Sequence, residues 1–107
     1  MFGGVHETNV VGLPWFRRED WPALRKLFVD ADKLHPTWEG WHGAAMTIEL
    51  GLRQDGHYVV RAEIRPRPFA AWCRALDIPR DAQARTRWAN EAAEREARQQ
   101  SKPAWYD

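Results

Sequence analysis

A single cysteine among 107 residues cannot close an internal disulfide. A lone thiol suits a reducing compartment, and the cytoplasm is the expected location. Apolar runs are short: none approaches the roughly 20 residues that cross a bilayer, and no membrane association is expected. The opening stretch, MFGGVHETNVVG, has no basic segment leading into an apolar one, so it is not expected to act as a secretory signal. Internal repeats and low-complexity linkers are missing. So are a glycine-rich phosphate loop in a strand–loop–helix setting, paired zinc cysteines and a nucleophilic triad. The expectation therefore leans away from an enzyme, with no cofactor.

Lysine is also scarce, with three against thirteen arginines, and here the sequence turns distinctive. Seven tryptophans accompany those arginines. Hydrophobic residues at 44% and charged residues at 29% are ordinary for a globular chain, and this length suits one domain burying roughly two thirds of its unfolded surface. Residues 1–12 are read as an N-terminal segment, flexible or an added strand; 13–100 as the compact domain; 101–107 as a tail in which Trp105 could dock. The net charge of +1 is unevenly spread. Residues 1–60 sum to −2, 61–87 to +4 and 88–107 to −1.

Apolar spacing predicts a first helix over about 21–31, capped by Asp20 with Pro22 early, and Trp21, Leu24, Leu27, Phe28 and Ala31 on one stripe. Two templates compete for residues 37–55. A helix capped by Thr37 and stopped by Gly56 lines up Trp38, Trp41, Ala45, Ile48 and Leu52. A hairpin turning at Asp55 and Gly56 alternates Ile48, Leu50 and Leu52. The helix is preferred because it also accounts for both tryptophans, although Gly40, Gly43 and Gly51 weaken it.

HYVVRAEI then reads as a strand with Tyr58, Val60, Ala62 and Ile64 inward and Arg61, Glu63 and Arg65 outward, ended by Pro66. Its backbone needs a neighbour, either from Val10–Phe16 or from another subunit. That need makes a homodimer the expected assembly. Pro68 opens a helix with Phe69, Trp72, Cys73 and Leu76 on one face, and DIPRD breaks it. The last helix, about 80–100, offers Ala82, Trp88, Ala89, Ala92 and Ala93 for packing, with Glu91–Arg95 and Glu94–Arg98 as solvated pairs. Together these give an α+β fold, mostly helical, with about four helices and one short strand or a small two-stranded sheet.

The stretch PFAAWCRALDIPRDAQARTRWA, preceded by DGHYVVRAEIRP, resembles small uncharacterised bacterial proteins with a Phe-x-x-Trp-Cys helix followed by an Ala-Arg-x-x-aromatic-Ala helix. The matching positions are Phe69, Trp72, Cys73, Ala84, Arg85, Trp88 and Ala89, within about half of the chain. The resemblance implies an α-rich fold with a small strand component and no activity or cofactor.

Each chemical candidate has a plain structural counterpart. Cys73 on an apolar helix face reads as a small hydrophobe rather than a nucleophile. His35, Glu39 and His42 could align on a helix, but no second Glu-x-x-His joins them, and His6 and His57 fit no ligand pattern, so no metal is expected. Arg61, Arg65, Arg67, Arg74, Arg80, Arg85 and Arg87 make the basic middle segment. All of these except Arg80, with Trp15 and Trp21, are the candidate binding residues. Phosphate contact with base stacking is one reading, though pI ≈ 8.0 falls short of a strongly basic domain, so nucleic acid is not favoured. Pairing with neighbouring carboxylates is the other. Trp38, Trp41, Trp72 and Trp88 either fill the core or line a small-molecule pocket. The leading functional expectation is a small non-catalytic interaction protein whose Trp/Arg surface meets its own copy or a protein partner.

Overall fold

A computed structural model describes residues 9–101 of the chain. His6 and Trp105 lie outside the described residues. Eight elements follow in order. Strand β1 spans Val10–Trp15, a 3-10 turn Arg18–Asp20, and helix α1 Trp21–Leu27. A second 3-10 turn covers Ala31–Lys33, helix α2 Trp38–Gln54, strand β2 Tyr58–Glu63, helix α3 Pro66–Leu76 and helix α4 Ala82–Ser101. The fold is mostly helical α+β with a small two-stranded sheet.

Residues 37–55 are helical. Thr37 is extended and its hydroxyl accepts from Gly40 N at 3.1 Å, which satisfies one of the open N–H groups of the first turn. Gly56, at φ +93°, reverses the chain at the other end, where an L side chain would be strained.

β1 and β2 pair in parallel, from Val10 opposite Tyr58 to Trp15 opposite Glu63. The neighbour required by HYVVRAEI thus comes from the N-terminal segment of the same chain. The unpaired-strand argument for a homodimer therefore no longer applies. β1 also runs across the boundary expected at residue 12.

Ile64 N donates to Trp15 O at 2.9 Å, so Trp15 turns its backbone toward β2 and Pro14, next along, turns away. Proline's missing N–H falls on the open side of β1, where no ladder bond needs it.

A helix covers each face of the sheet. Gly12 lies against α4: a Cβ built there would penetrate the Ala89 carbonyl and come within 3.2 Å of Ala93 Cβ. Ala89 and Ala93 are both buried, and their small side chains permit this approach. Trp15 and Arg61 lie on the opposite face, toward α2. This two-sided cover explains a departure from the expected strand pattern. Val59, beneath α2, is buried, whereas Tyr58 is exposed where α4 runs out, its hydroxyl accepting from Gln100 Nε2 at 3.2 Å.

Further departures have local causes. α1 stops at Leu27 rather than near 31, because Phe28 turns extended (φ −73°, ψ 128°) and sends its ring between Phe16 and Phe69. Asp20 does not cap α1; its carboxylate accepts from Arg65 Nε at 3.0 Å instead. Leu76 is exposed at the end of α3, while Phe69 and Cys73 of that helix are fully buried. Asp77, in the left-handed region at φ 57°, ends α3, and Asp81 caps α4 by accepting from Ala84 N at 3.0 Å. Glu91 pairs with Arg87, one turn before it, rather than with Arg95, one turn after it.

Candidate functional site: the arginine–tryptophan network and the outer face of α2

The tryptophans form two packed clusters. Around Trp41, Trp15 stands edge-on at 5.2 Å, and Trp38 lies 6.0 Å away with its Nε1 donating to Phe16 O at 3.0 Å. His42 stacks on Trp38 at 4.4 Å. Around Phe69, Trp72 and Trp88 meet edge-on at 5.3 Å, and Trp88 Nε1 donates to Glu63 O at 3.1 Å. Phe28 touches Phe16 of the first cluster and Phe69 of the second. The four tryptophans expected to line one pocket are thus divided two and two. Trp21, expected among the binding residues, is buried, and Trp15 is half-buried.

The arginines do not converge; most meet separate carboxylates. Arg85 grips Asp30 through two bonds of 2.8 and 2.9 Å and lies over the Phe28 ring, holding the Asp30 carboxyl below its usual range. Arg65 bonds Asp20, Arg87 bonds Glu91 beside Trp72, and Arg80 Nε donates to Leu27 O at 2.8 Å. Arg67 and Arg74 are exposed, with no side-chain partner among the described residues. A groove of ≈ 470 Å³ runs between β2 and α4, lined by Trp88, Arg95, Glu96 and Gln99 among others, and its charges are mixed in sign. Among the described residues, no group of three or more His, Cys, Asp and Glu is placed to hold a metal. Cys73 is buried, and burial pushes its thiol pKa up, away from the nucleophilic thiolate.

The best-built polar node joins α2 to the sheet. Glu49 is 5% exposed, yet it is charged: Arg61 donates Nε to its Oε2 at 2.7 Å and Nη2 to its Oε1 at 2.8 Å, and Arg53 adds a bond at 3.3 Å. Arg61, followed by burial and then Arg53, is the largest influence on its pKa, which is lowered to about 2. The Arg61 guanidinium also lies 4.1 Å over the Trp15 ring. β1, β2 and α2 are tied together at this one point.

That bond sets the rotation of α2. Trp41, Ala45 and Glu49, four apart, face the sheet. Ile48, one step or about 100° away, is not inward as its spacing suggested but 54% exposed, with Leu50 at 57% and Met46 at 42%. Gly43, Thr47 and Gly51 lie between them on the outer side. From Gly43 to Leu52 the only ionisable side chain is Glu49, which is turned inward and paired, so the stretch adds no charge of its own to the outer face, and the nearest charge, the Arg61 guanidinium, reaches Met46 Sδ at 3.5 Å along one edge. Sequence reasoning missed Glu49 and this face. The available signal was that lone carboxylate between Ile48 and Leu50.

Comparison with protein-family models, curated proteins and solved structures finds no match to the chain.

Proposed function

We propose that this chain is a small, non-catalytic interaction protein that assembles with a protein partner or a second copy of itself. The observation that carries the proposal is the outer face of α2, where Met46, Ile48 and Leu50 project from a charge-free stretch. Large apolar side chains left in water, Met46 and Leu50 along one flank of the helix and Ile48 along the other, gain free energy when a partner covers them. The Trp/Arg network supplies the rigidity. Arg61 over Trp15, Arg18 over Trp38 and Arg87 over Trp72 fix half-buried rings between core and solvent, and the Glu49–Arg61 pair holds α2 in register on the sheet.

Nucleic-acid binding is less well supported, because four of the candidate arginines spend their charge on carboxylates of the same chain. No helix among the described residues is long and apolar enough to cross a membrane. The cytoplasm is the compartment proposed, since it would keep the one cysteine reduced. Cross-linking of the full chain in its source cells tests the reading. A defined complex, of any composition, is expected for the parent and absent for an Ile48→Lys/Leu50→Lys variant. A parent that forms no complex dependent on this face overturns it.

A further inference from the structure

We propose that Met46 is a reversible oxidation site: hydrogen peroxide converts its thioether to a sulfoxide, and the Arg61 guanidinium receives the new oxygen, fastening α2 more firmly to the sheet. The inference goes beyond the interaction reading and is tested on the purified chain alone, so each can fail without the other.

Two observations meet at this sulfur. Met46 is 42% exposed and is the only methionine among the described residues, so an oxidant in solution can reach it. Its Sδ also accepts from Arg61 Nη2 at 3.5 Å. A thioether is a weak acceptor, and this bond contributes little as it stands. A sulfoxide is polar, and its oxygen beside a guanidinium makes a charge-assisted bond.

The receiving group is already held. Arg61 donates Nε and Nη2 to the two oxygens of Glu49 at 2.7 and 2.8 Å, and its guanidinium lies 4.1 Å over the Trp15 ring. One Nη2 hydrogen is spent on Glu49, which leaves the other for Met46. An oxygen bonded to Sδ falls within hydrogen-bond range of Nη2, about 2.7–3.2 Å, without either side chain leaving its place. Glu49 keeps its bonds to Arg61, so the oxygen adds a contact and takes none away. Because the guanidinium is fixed beforehand, little ordering opposes the gain.

The reaction balances with peroxide as the oxidant. A sulfur lone pair that Arg61 does not engage attacks one peroxide oxygen, and an S–O bond forms as the O–O bond breaks. The departing hydroxide takes the proton of the transferred oxygen and leaves as water. Sulfur gives up two electrons and peroxide gains them. A methionine sulfoxide reductase returns the thioether, with a dithiol oxidised to a disulfide and the oxygen released as water. Ile48 and Leu50 have no such chemistry, and Cys73, 1% exposed, is shielded from the same oxidant.

The sign of the effect is the test. Sulfoxidation of a methionine packed among apolar groups loosens a fold, whereas here it should tighten one. Mild peroxide treatment of the full chain, with mass spectrometry of the fragment holding Met46, should show one added oxygen there and Cys73 unmodified. The melting temperature should rise by about 2 °C or more, and methionine sulfoxide reductases with dithiothreitol should return it to its starting value. Met46→Leu separates this effect from oxidation of Met1 and should show no rise. Arg61→Lys keeps a positive charge beside Glu49 but lacks the planar fork, and should lose most of the rise. A Met46 that resists peroxide in the folded chain, an oxidised chain whose melting temperature is unchanged or lower, a sulfoxide that the reductases leave in place, or a rise that persists in full in Arg61→Lys overturns the inference.

Discussion

Against α4 the sheet presents Gly12, and the alanines of α4 let backbone lie on backbone. Against α2 the same sheet presents Trp15 and Arg61, and the helix answers with Trp41 and a buried carboxylate. The first contact is specified by volume and the second by charge and ring geometry. Each side should fail to a different insult. Adding a methyl group matters most on the α4 side, and removing a charge matters most on the α2 side.

The largest effect is expected at Gly12. Gly12→Val should cost about 3 kcal/mol or more, because the obstacle is the Ala89 backbone and α4 must move as a whole. Urea unfolding checks it, and an unchanged midpoint would show that α4 stands off the sheet.

Next comes Glu49→Gln, which removes the counter-charge of a half-exposed Arg61 and should cost about 2 kcal/mol; Arg61→Met added to it should recover part of that loss, which a double-mutant cycle in urea measures. The acid response follows from the same pair. Glu49 has a folded pKa of about 2, below its unfolded value, so its contribution is complete above about pH 4.5 and is lost as pH falls toward 2. Acid titration of the melting temperature should therefore be steeper in the parent than in Glu49→Gln.

Cys73→Ser, on α3 and outside both contacts, should cost about 1–2 kcal/mol by placing a hydroxyl among apolar neighbours. The native thiol should resist alkylation until the chain unfolds. The smallest change is a gain: Gly51→Ala meets only open space in the protomer and should stabilise it by up to about 1 kcal/mol, read as a higher melting temperature at dilute concentration.

Much of the fold was legible locally. Thr37, Gly56 and the DIPRD break mark helix ends, and Pro66 the strand end, through their own backbone chemistry without tertiary knowledge, although α3 begins at Pro66 itself rather than at Pro68. Phe69 and Cys73 were readable as core for a similar reason, since their spacing matches a single apolar face. The rest depended on partners distant in sequence. Whether Ile48 or Glu49 faces inward turns on Arg61, twelve residues away and on another element, and a period count that ranks side chains by hydrophobicity selects Ile48. Val59 is buried because the sheet is covered on both sides, which alternation along one strand cannot reveal. The arginines were visible as a run in sequence, but the fold sends them to carboxylates on different elements, and Asp30 lies 55 residues from Arg85.

Two obstructions on the sheet have a further consequence. Pro14 lacks the donor a third strand would need on the outside of β1, and the Trp88 indole occupies the Glu63 carbonyl beside β2. A two-stranded ribbon with both margins impaired is a poor template for strand recruitment and hence for fibril growth.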